Sequence, residues 1–435
     1  MKIKLRNDQL LLIEQTLQSI HENTIIVSPS GSGKSYMLVY LEKLLTDQGY
    51  NVFVYAPTIE VREQLDELLK ENGSSNHARG IVSDYNNLEK DVDVDYLLID
   101  EAHHVEADTY QLFFNKFPNA VRIGFSATPN RLDGKPLSNT FEHIVQGKQV
   151  RELIDEHIIS DFKYYAPNTS QAIKTAVSSE HLNVLGERFF VSLERESNYT
   201  KTIYGDVVKT WLKYGEGKLT VLFAPSVKMS KKFAKEFRSS GIKATHIDGT
   251  TLPSKRKEII DDFRKGNISV LCNVDLISEG FDMSDADCVI LTRPTESLAM
   301  YMQQAFRALR YREGKTAIIL DHADNISIHG RLDDYREWSL DGASEGGKGT
   351  GHERTIWERW NNNAVFDTSV ELEEVIEHYD GRFDILIEKA LKLKNMEGFM
   401  LLNDIQKEAH ILSTSGYSWA YAFALAHGFD IPRKD

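Results

Sequence analysis

"NTIIVSPSGSGKSYMLVYLEKLL", residues 23–45, falls into three parts. Thr24–Val27 is a run of branched residues suited to a buried strand. Ser28–Ser35 is a glycine-bearing loop, "SPSGSGKS". The remainder reads as an amphipathic helix. Strand, glycine loop and helix together open a parallel α/β unit. Gly31 and Gly33 let the backbone curl until successive N–H groups face one anion. The helix N-terminus adds partial positive charge there. Lys34 supplies a full charge, and Ser35 a hydroxyl for a divalent cation. This is a Walker A loop in its strand–loop–helix setting, with Ser28 where the general pattern has glycine. It predicts ATP and Mg²⁺ held by Ser30, Gly31, Ser32, Gly33, Lys34 and Ser35.

Such a loop needs an acidic strand end nearby, and "DVDYLLIDEAHH" (93–104) supplies it. Tyr96–Ile99 predicts a buried strand with Asp100 and Glu101 at its C-terminal end, where parallel sheets bind ligands. Asp100 is suited to hold Mg²⁺ through its water shell, and Glu101 to orient and deprotonate an attacking water. Further out, "NVFVYAPT" precedes the helix "IEVREQLDELLKEN", and "AVRIGFSATPNR" is another strand and loop. The alternation predicts a doubly wound first domain over residues 1–148.

After a connecting segment, 149–200, the alternation restarts over 201–340. "LTVLFAPS", "KATHIDGT", "ISVLCNVD", "DCVILTRP" and "KTAIILDHAD" read as strands with helices between them. No second glycine–lysine loop occurs in this half. It carries instead "QQAFRALR" (303–310), whose Arg307 and Arg310 are three apart and would share one helix face. Two guanidiniums on one face point to one anion, the γ-phosphate held across a cleft by the first domain. Such arginine fingers accelerate phosphoryl transfer by orders of magnitude.

The chain has 435 residues, 41% hydrophobic and 27% charged, which fits a soluble globular protein of two or three domains. Its opening lacks a signal-peptide pattern, and no run of about 18 apolar residues predicts a membrane span. Cys272 and Cys288 lie in apolar runs and read as buried thiols in a reducing cytoplasm. A net charge of −14 argues against a broad nucleic-acid-binding surface, yet a groove needs only a local basic lining. "KMSKK" and "KRK" read as solvated helix faces. His103 and His104 have no further ligands at metal spacing. His322 and His329 flank "ADNISI" and leave their role open.

The ordered motifs "SPSGSGKS", "APT", "DEAH", "SAT", "ISEGFD" and "QQAFRALR" resemble those of superfamily 2 helicases, specifically the DEAD/DEAH-type bacterial and phage DNA helicases. The resemblance covers about residues 1–340. It implies two tandem RecA-like domains forming an ATP-dependent motor that translocates along and unwinds nucleic acid, DNA rather than RNA, in phage or mobile-element replication. Its rivals are a duplex translocase that separates nothing and a nucleic-acid-gated ATPase switch that recruits a partner. The resemblance further implies that Gln9 reads the adenine, and that Pro57, Thr58, Ser226 and Ser278 contact the nucleic acid. Ser126 and Thr128, with His103, would couple hydrolysis to domain movement. Gly280 and Asp282 would face the nucleotide, and Gln303, Arg307 and Arg310 would sense the γ-phosphate. One departure is Phe306, where the family usually has glycine; it reads as a residue packed on the core side. Ala308 also replaces a common glycine.

"DGASEGGKGTGHER" starts at 341 and predicts a glycine-rich linker over 341–351. "SVELEEVIEHY", "RFDILIEKALKLK", "GFMLLNDIQKEAHIL" and "SWAYAFALAHG" then predict a small helical accessory region over 352–435. Residues 351–435 hold nine basic and fifteen acidic side chains, so generic grip on phosphates is not their expected task. A replication or recombination protein is the partner class expected there.

Overall fold

The computed structural model describes residues 2–80, 93–129, 136–167, 202–274, 286–295, 297–341, 365–368 and 370–375. The linker, the three later tail helices and Ser278, Gly280 and Asp282 lie outside them.

The first sheet contains β1 (Thr24–Val27), β2 (Val52–Ala56), β3 (Ala78–Gly80), β4 (Tyr96–Asp100), β5 (Val121–Ser126) and β6 (His143–Gln146). Its strands are all parallel, in the order β3-β2-β4-β5-β1-β6. β1, β2 and β4 are buried along their whole length, as expected of parallel strands covered on both faces. Helices α1 (Asn7–Gln18), α2 (Lys34–Asp47), α3 (Ile59–Glu71) and α4 (Asp108–Phe114) accompany it. Met37, Leu38, Leu41 and Leu45 of α2 pack against Val54, Leu98 and Phe125 in one core, and Phe113 of α4 enters a separate one with Ile25 and Ile99.

The second sheet orders β10 (Ala244–Ile247), β11 (Val270–Asn273), β9 (Thr220–Phe223), β12 (Cys288–Leu291), β13 (Thr316–Asp321), β7 (Asp161–Pro167) and β15 (Leu372–Glu374). It is parallel except for β15, which runs antiparallel to β7. A two-stranded ribbon joins β8 (Thr202–Tyr204) to β14 (Val365–Asp367). The remaining helices are α5 (Val150–Asp155), α6 (Val207–Tyr214), α7 (Val227–Ser239), α8 (Pro253–Arg264), α9 (Leu298–Ala305) and α10 (Asn325–His329).

Two expectations change here. The segment 149–200, read as a connector, supplies α5 to the second core and β7 to the second sheet. The helix expected over "SVELEEVIEHY" is a strand at Leu372–Glu374. Val370, Glu371, Leu372 and Glu373 alternate apolar with acidic, and the edge of β7 offers unpaired backbone groups. A strand there buries Leu372 and satisfies both chains, which an isolated turn of helix could not. Residues 372–374 of the tail are therefore built into the second sheet.

The two sheets are joined twice. The chain first crosses between β6 and α5. It returns through residues 331–341, a strap with no helix or strand. Gln146 Nε2 and Gln149 Nε2 each donate to Arg336 O at 2.9 Å. Leu137 N and Ser138 N donate to Leu340 O at 2.7 and 3.0 Å. Trp338 packs against a core of each sheet.

At the C-terminal end of β13, Asp321 is fully buried. It accepts from Tyr164 Oη, Ala323 N, Asn325 Nδ2 and Ile326 N. Burial pushes its carboxyl up to about 6. His322 beside it is also fully buried, with Nδ1 2.5 Å from Tyr204 O, and burial pushes it down to about 4. His329 meets Thr295 O at 2.7 Å and stacks on Tyr301, so both histidines are used structurally.

The signs of the two shifts are opposite. A histidine with a depressed folded pKa costs nothing above its unfolded pKa and destabilises as pH falls from about 6.5 toward 4. A carboxyl with a raised folded pKa destabilises as pH rises from about 3.8 toward 6. The wild-type pH profile is thus flattened, and the histidine effect shows in a difference. We expect His322→Asn to lose about 3 kcal/mol less stability than the parent between pH 6.5 and 4, read by denaturant unfolding at each pH. Parallel pH profiles for the two proteins would contradict this.

Candidate active site

Sheet order places the site. β4, β5 and β1 are adjacent, so Asp100, Ser126 and the loop after Val27 lie side by side at their C-terminal ends. The phosphate loop and Asp100 are separated by two strand spacings, roughly 10 Å. Gly31 and Gly33 have φ of 87° and 91°, a region that side-chain-bearing residues rarely enter. At Gly33 a Cβ would also lie 2.5 Å from Gln9 Nε2. Gln9 Nε2 and Arg6 Nη2 both donate to Ser32 O, at 2.9 and 2.8 Å, and so brace the loop from α1. Sequence reasoning missed Arg6, although it stands in the same "LRNDQ" stretch as Gln9.

Lys34 begins α2 and is buried. Its Nζ donates to Ser28 O at 3.0 Å and Pro29 O at 3.3 Å. Burial lowers its pKa; Glu101 and Asp100 oppose the shift, and Arg310 adds to it. Burial, followed by the adjacent Glu101, raises the pKa of Asp100. Asp100 Oδ1 accepts from Glu101 N at 3.0 Å. Glu101 has a left-handed backbone, φ 48°, a strained state typical of functional turns. Its Oε2 is buried without a hydrogen bond, and so is Ser32 Oγ. Two buried oxygens in need of partners, an ammonium turned onto its own loop and a carboxyl held toward neutrality fit an incoming triphosphate with Mg²⁺. Ser35 sits on the first turn of α2.

His103 joins the pieces. Ser126 Oγ donates its one proton to Thr128 O at 2.7 Å. Toward His103 Nδ1, 3.0 Å away, it must therefore accept, which places the imidazole proton on Nδ1. Glu101 Oε2, 3.5 Å from the same nitrogen, favours that tautomer. Nε2 is left as an acceptor and meets Gln303 Nε2 of the second sheet's α9 at 3.4 Å. One ring thus contacts the acidic strand end, the "SAT" loop and the opposite domain.

The arginines differ from expectation. α9 stops at Ala305, a 3-10 turn covers Phe306–Ala308, and Arg310 forms an antiparallel bridge with Ile159. Arg307 and Arg310 therefore share no α-helical face. Beyond the 3-10 turn the chain is held from the other side: Ser160 N donates to Leu309 O at 2.8 Å and Ser160 Oγ donates to Arg310 O at 3.0 Å. Arg307 is half-buried and Arg310 exposed. Phe306 is buried in the second core and Ala308 fully buried, as the packing reading expects. Thr58 and Ser226 occupy corresponding places in the two halves, each capping the helix after a strand. Their hydroxyls accept from Val61 N and Met229 N, and Pro57 is half-buried beside Thr58.

Comparison with known proteins agrees with this geometry. Residues 204–312 match the Helicase conserved C-terminal domain, and residues 4–155 match an AAA domain. The 51.5 kDa protein of Lactococcus phage (isolate 7-9) is 36% identical over 72% of this chain and 68% of its own length. A Saccharomyces cerevisiae protein named as an ATP-dependent helicase, IRC3, is 30% identical over 54% of this chain but only 34% of its own length. A fragment described as an HsdR subunit of a type I restriction enzyme from Vibrio vulnificus shares the fold, with TM-score 0.51 and 16% identity over 78% of this chain and 67% of that one. The chain belongs to the superfamily 2 helicases of bacterial and phage type. Within that class it is an ATP-hydrolysing enzyme that acts on nucleic acid.

Lys34→Ala should lower ATP turnover by about 100-fold or more, since the backbone cradle alone cannot offset the phosphate charge. Glu101→Gln should bind ATP normally and turn it over about 100-fold more slowly. Steady-state phosphate release and binding of a fluorescent ATP analogue separate the two effects. Wild-type turnover in either variant would remove these residues from the site.

Proposed function

We propose that this chain is a DNA motor that hydrolyses ATP to move along one strand and displace the other, in the cytoplasm, during phage or mobile-element replication. The first motor domain ends near residue 148, and the second follows it, its sheet completed by β15 of the tail. The observation that carries the reading is the His103 imidazole, bonded to Ser126 in one domain and to Gln303 in the other. A nucleotide switch confined to one domain would have no use for that link.

In this reading Lys34, the loop N–H groups and Ser35 bind the phosphates, Gln9 faces the adenine, and Asp100 with Ser35 orients Mg²⁺. The bound ion would neutralise charge developing on the phosphates. Glu101 takes the proton of the attacking water. Any change at Glu101 is felt by His103, which holds Gln303 through Nε2, so the state of the acid biases the position of the second domain. Arg310 reaches the γ-phosphate from the far side, and Arg307 supports it. Gly280 and Asp282 complete the nucleotide face, and Thr128 joins Ser126 in the coupling. Pro57, Thr58, Ser226 and Ser278 contact the DNA backbone, where each helix N-terminus favours a phosphate. A replication or recombination protein engages the C-terminal region.

Single-stranded DNA should stimulate ATP turnover about tenfold or more. Raising salt from 50 to 200 mM should weaken that stimulation steeply through counterion release. Forked DNA with a labelled strand should show ATP-dependent displacement. Stimulated hydrolysis without displacement would identify a translocase that leaves the duplex intact. Turnover indifferent to DNA and RNA alike would contradict a nucleic-acid motor.

A further inference from the structure

The phosphate loop and Arg310 are connected by a short path that does not run through the nucleotide. Ile159 is fully buried in the second core, yet its side chain faces the first domain's loop. A Cβ built on Gly31 would lie 3.1 Å from Ile159 Cγ2. The backbone of Ile159 is bridged to Arg310. The next residue, Ser160, is also buried and fixes the same segment by three further bonds. Its N donates to Leu309 O at 2.8 Å, its Oγ donates to Arg310 O at 3.0 Å, and Arg312 N donates to its Oγ at 3.4 Å. Lys315 Nζ adds a bond to Arg310 O at 3.1 Å. Just upstream, His157 takes a left-handed backbone, φ 57°, and its ring stacks on Tyr311 with centroids 6.2 Å apart. Residues 157–160 therefore form a cradle for residues 309–312, with one side chain touching the phosphate loop.

We infer that Ile159 and Ser160 are positioning residues that set the backbone of Arg310 according to the conformation of the phosphate loop. The inference rests on Arg310 acting at the γ-phosphate. Arg310 is exposed and sits beyond the end of α9, so no helix holds its backbone. An arginine on an exposed loop loses much of its effect unless that loop is preorganised. Ser160 supplies this order through a hydroxyl that donates to the Arg310 carbonyl and accepts from Arg312. Ile159 supplies the sensing contact, because its methyl group lies where a Cβ at Gly31 would crowd it. When phosphates fill the loop and its backbone shifts, the contact at Gly31 moves Ile159, and the bridge carries the shift to Arg310.

A double-mutant cycle on the full chain tests this, reading DNA-stimulated kcat, KM for ATP and the Kd of a fluorescent ATP analogue. Ser160→Ala should lower kcat about fivefold to tenfold with KM and Kd within twofold of the parent. Ser160→Thr, which keeps the hydroxyl, should restore most of the loss. In an Arg310→Ala background, Ser160→Ala should cost nothing further. Equal multiplicative losses in both backgrounds, or wild-type kcat for Ser160→Ala, would overturn the inference. If Ser160→Ala fails to fold, Ile159→Val carries the same cycle, with a smaller fall in kcat expected only when Arg310 is present; a fall independent of Arg310 overturns the inference. Wild-type turnover in Arg310→Ala alone refutes the γ-phosphate role instead, so the two failures are distinguishable.

Discussion

Every later feature of the molecule depends on three parallel strand ends lying side by side. β4 ends in the acidic pair, β5 in Ser126 and β1 in the phosphate loop, and the register fixes them relative to one another. Parallel pairing aims all three ends the same way, so the chemistry collects on one edge without any long loop to gather it. His103 then turns a static edge into a relay. It needs the buried Ser126 hydroxyl to settle its tautomer, and that tautomer is what leaves Nε2 open to Gln303. A serine misplaced by one residue along β5 would face the other side of the sheet and break the line.

The second domain is held to this edge at several points of different character. The strap over residues 331–341 ties the two cores together behind the site through Gln146, Gln149 and Trp338. Ile159 faces Gly31, and Gln303 meets His103. The strap contacts are backbone and glutamine bonds that tolerate rotation, whereas at the phosphate loop and His103 one apolar approach and one hydrogen bond are all that closure need make or break. That division suits a hinge behind the cleft and a switch within it. The tail's β15, seated on β7, ties the tail to the same sheet that carries the cradle for Arg310.

Local patterns carried most of this into the sequence. The glycine loop, the acidic strand end and the "SAT" loop each combine a strand with a chemical residue at a fixed offset, and each lies where its pattern puts it. What could not be read is what depends on distant partners. Leu372–Glu374 alternates in a way that either a strand or a charged helix could satisfy, and the choice is made by a strand some two hundred residues earlier. The spacing of Arg307 and Arg310 suits a helix, but the chain tightens to a 3-10 turn at Phe306 and Arg310 pairs with Ile159, some 150 residues earlier. Ile159 and Ser160 carry no motif at all. Their importance comes from burial beside Gly31 and Arg310, which only the fold supplies.

The central claim is that nucleotide and DNA draw the second domain onto the first through His103 and Gln303. The most direct measurement is the distance between spin labels on cysteines introduced at Gln48 and Ser240, both exposed and in different halves of the chain. Native Cys272 and Cys288 are buried and should not take the label. With a non-hydrolysable ATP analogue and single-stranded DNA, the distance distribution should shift to a single, shorter population. The shift should be lost in Gln303→Ala, even though that variant still binds the analogue. A distribution that is the same with and without nucleotide and DNA would contradict the account.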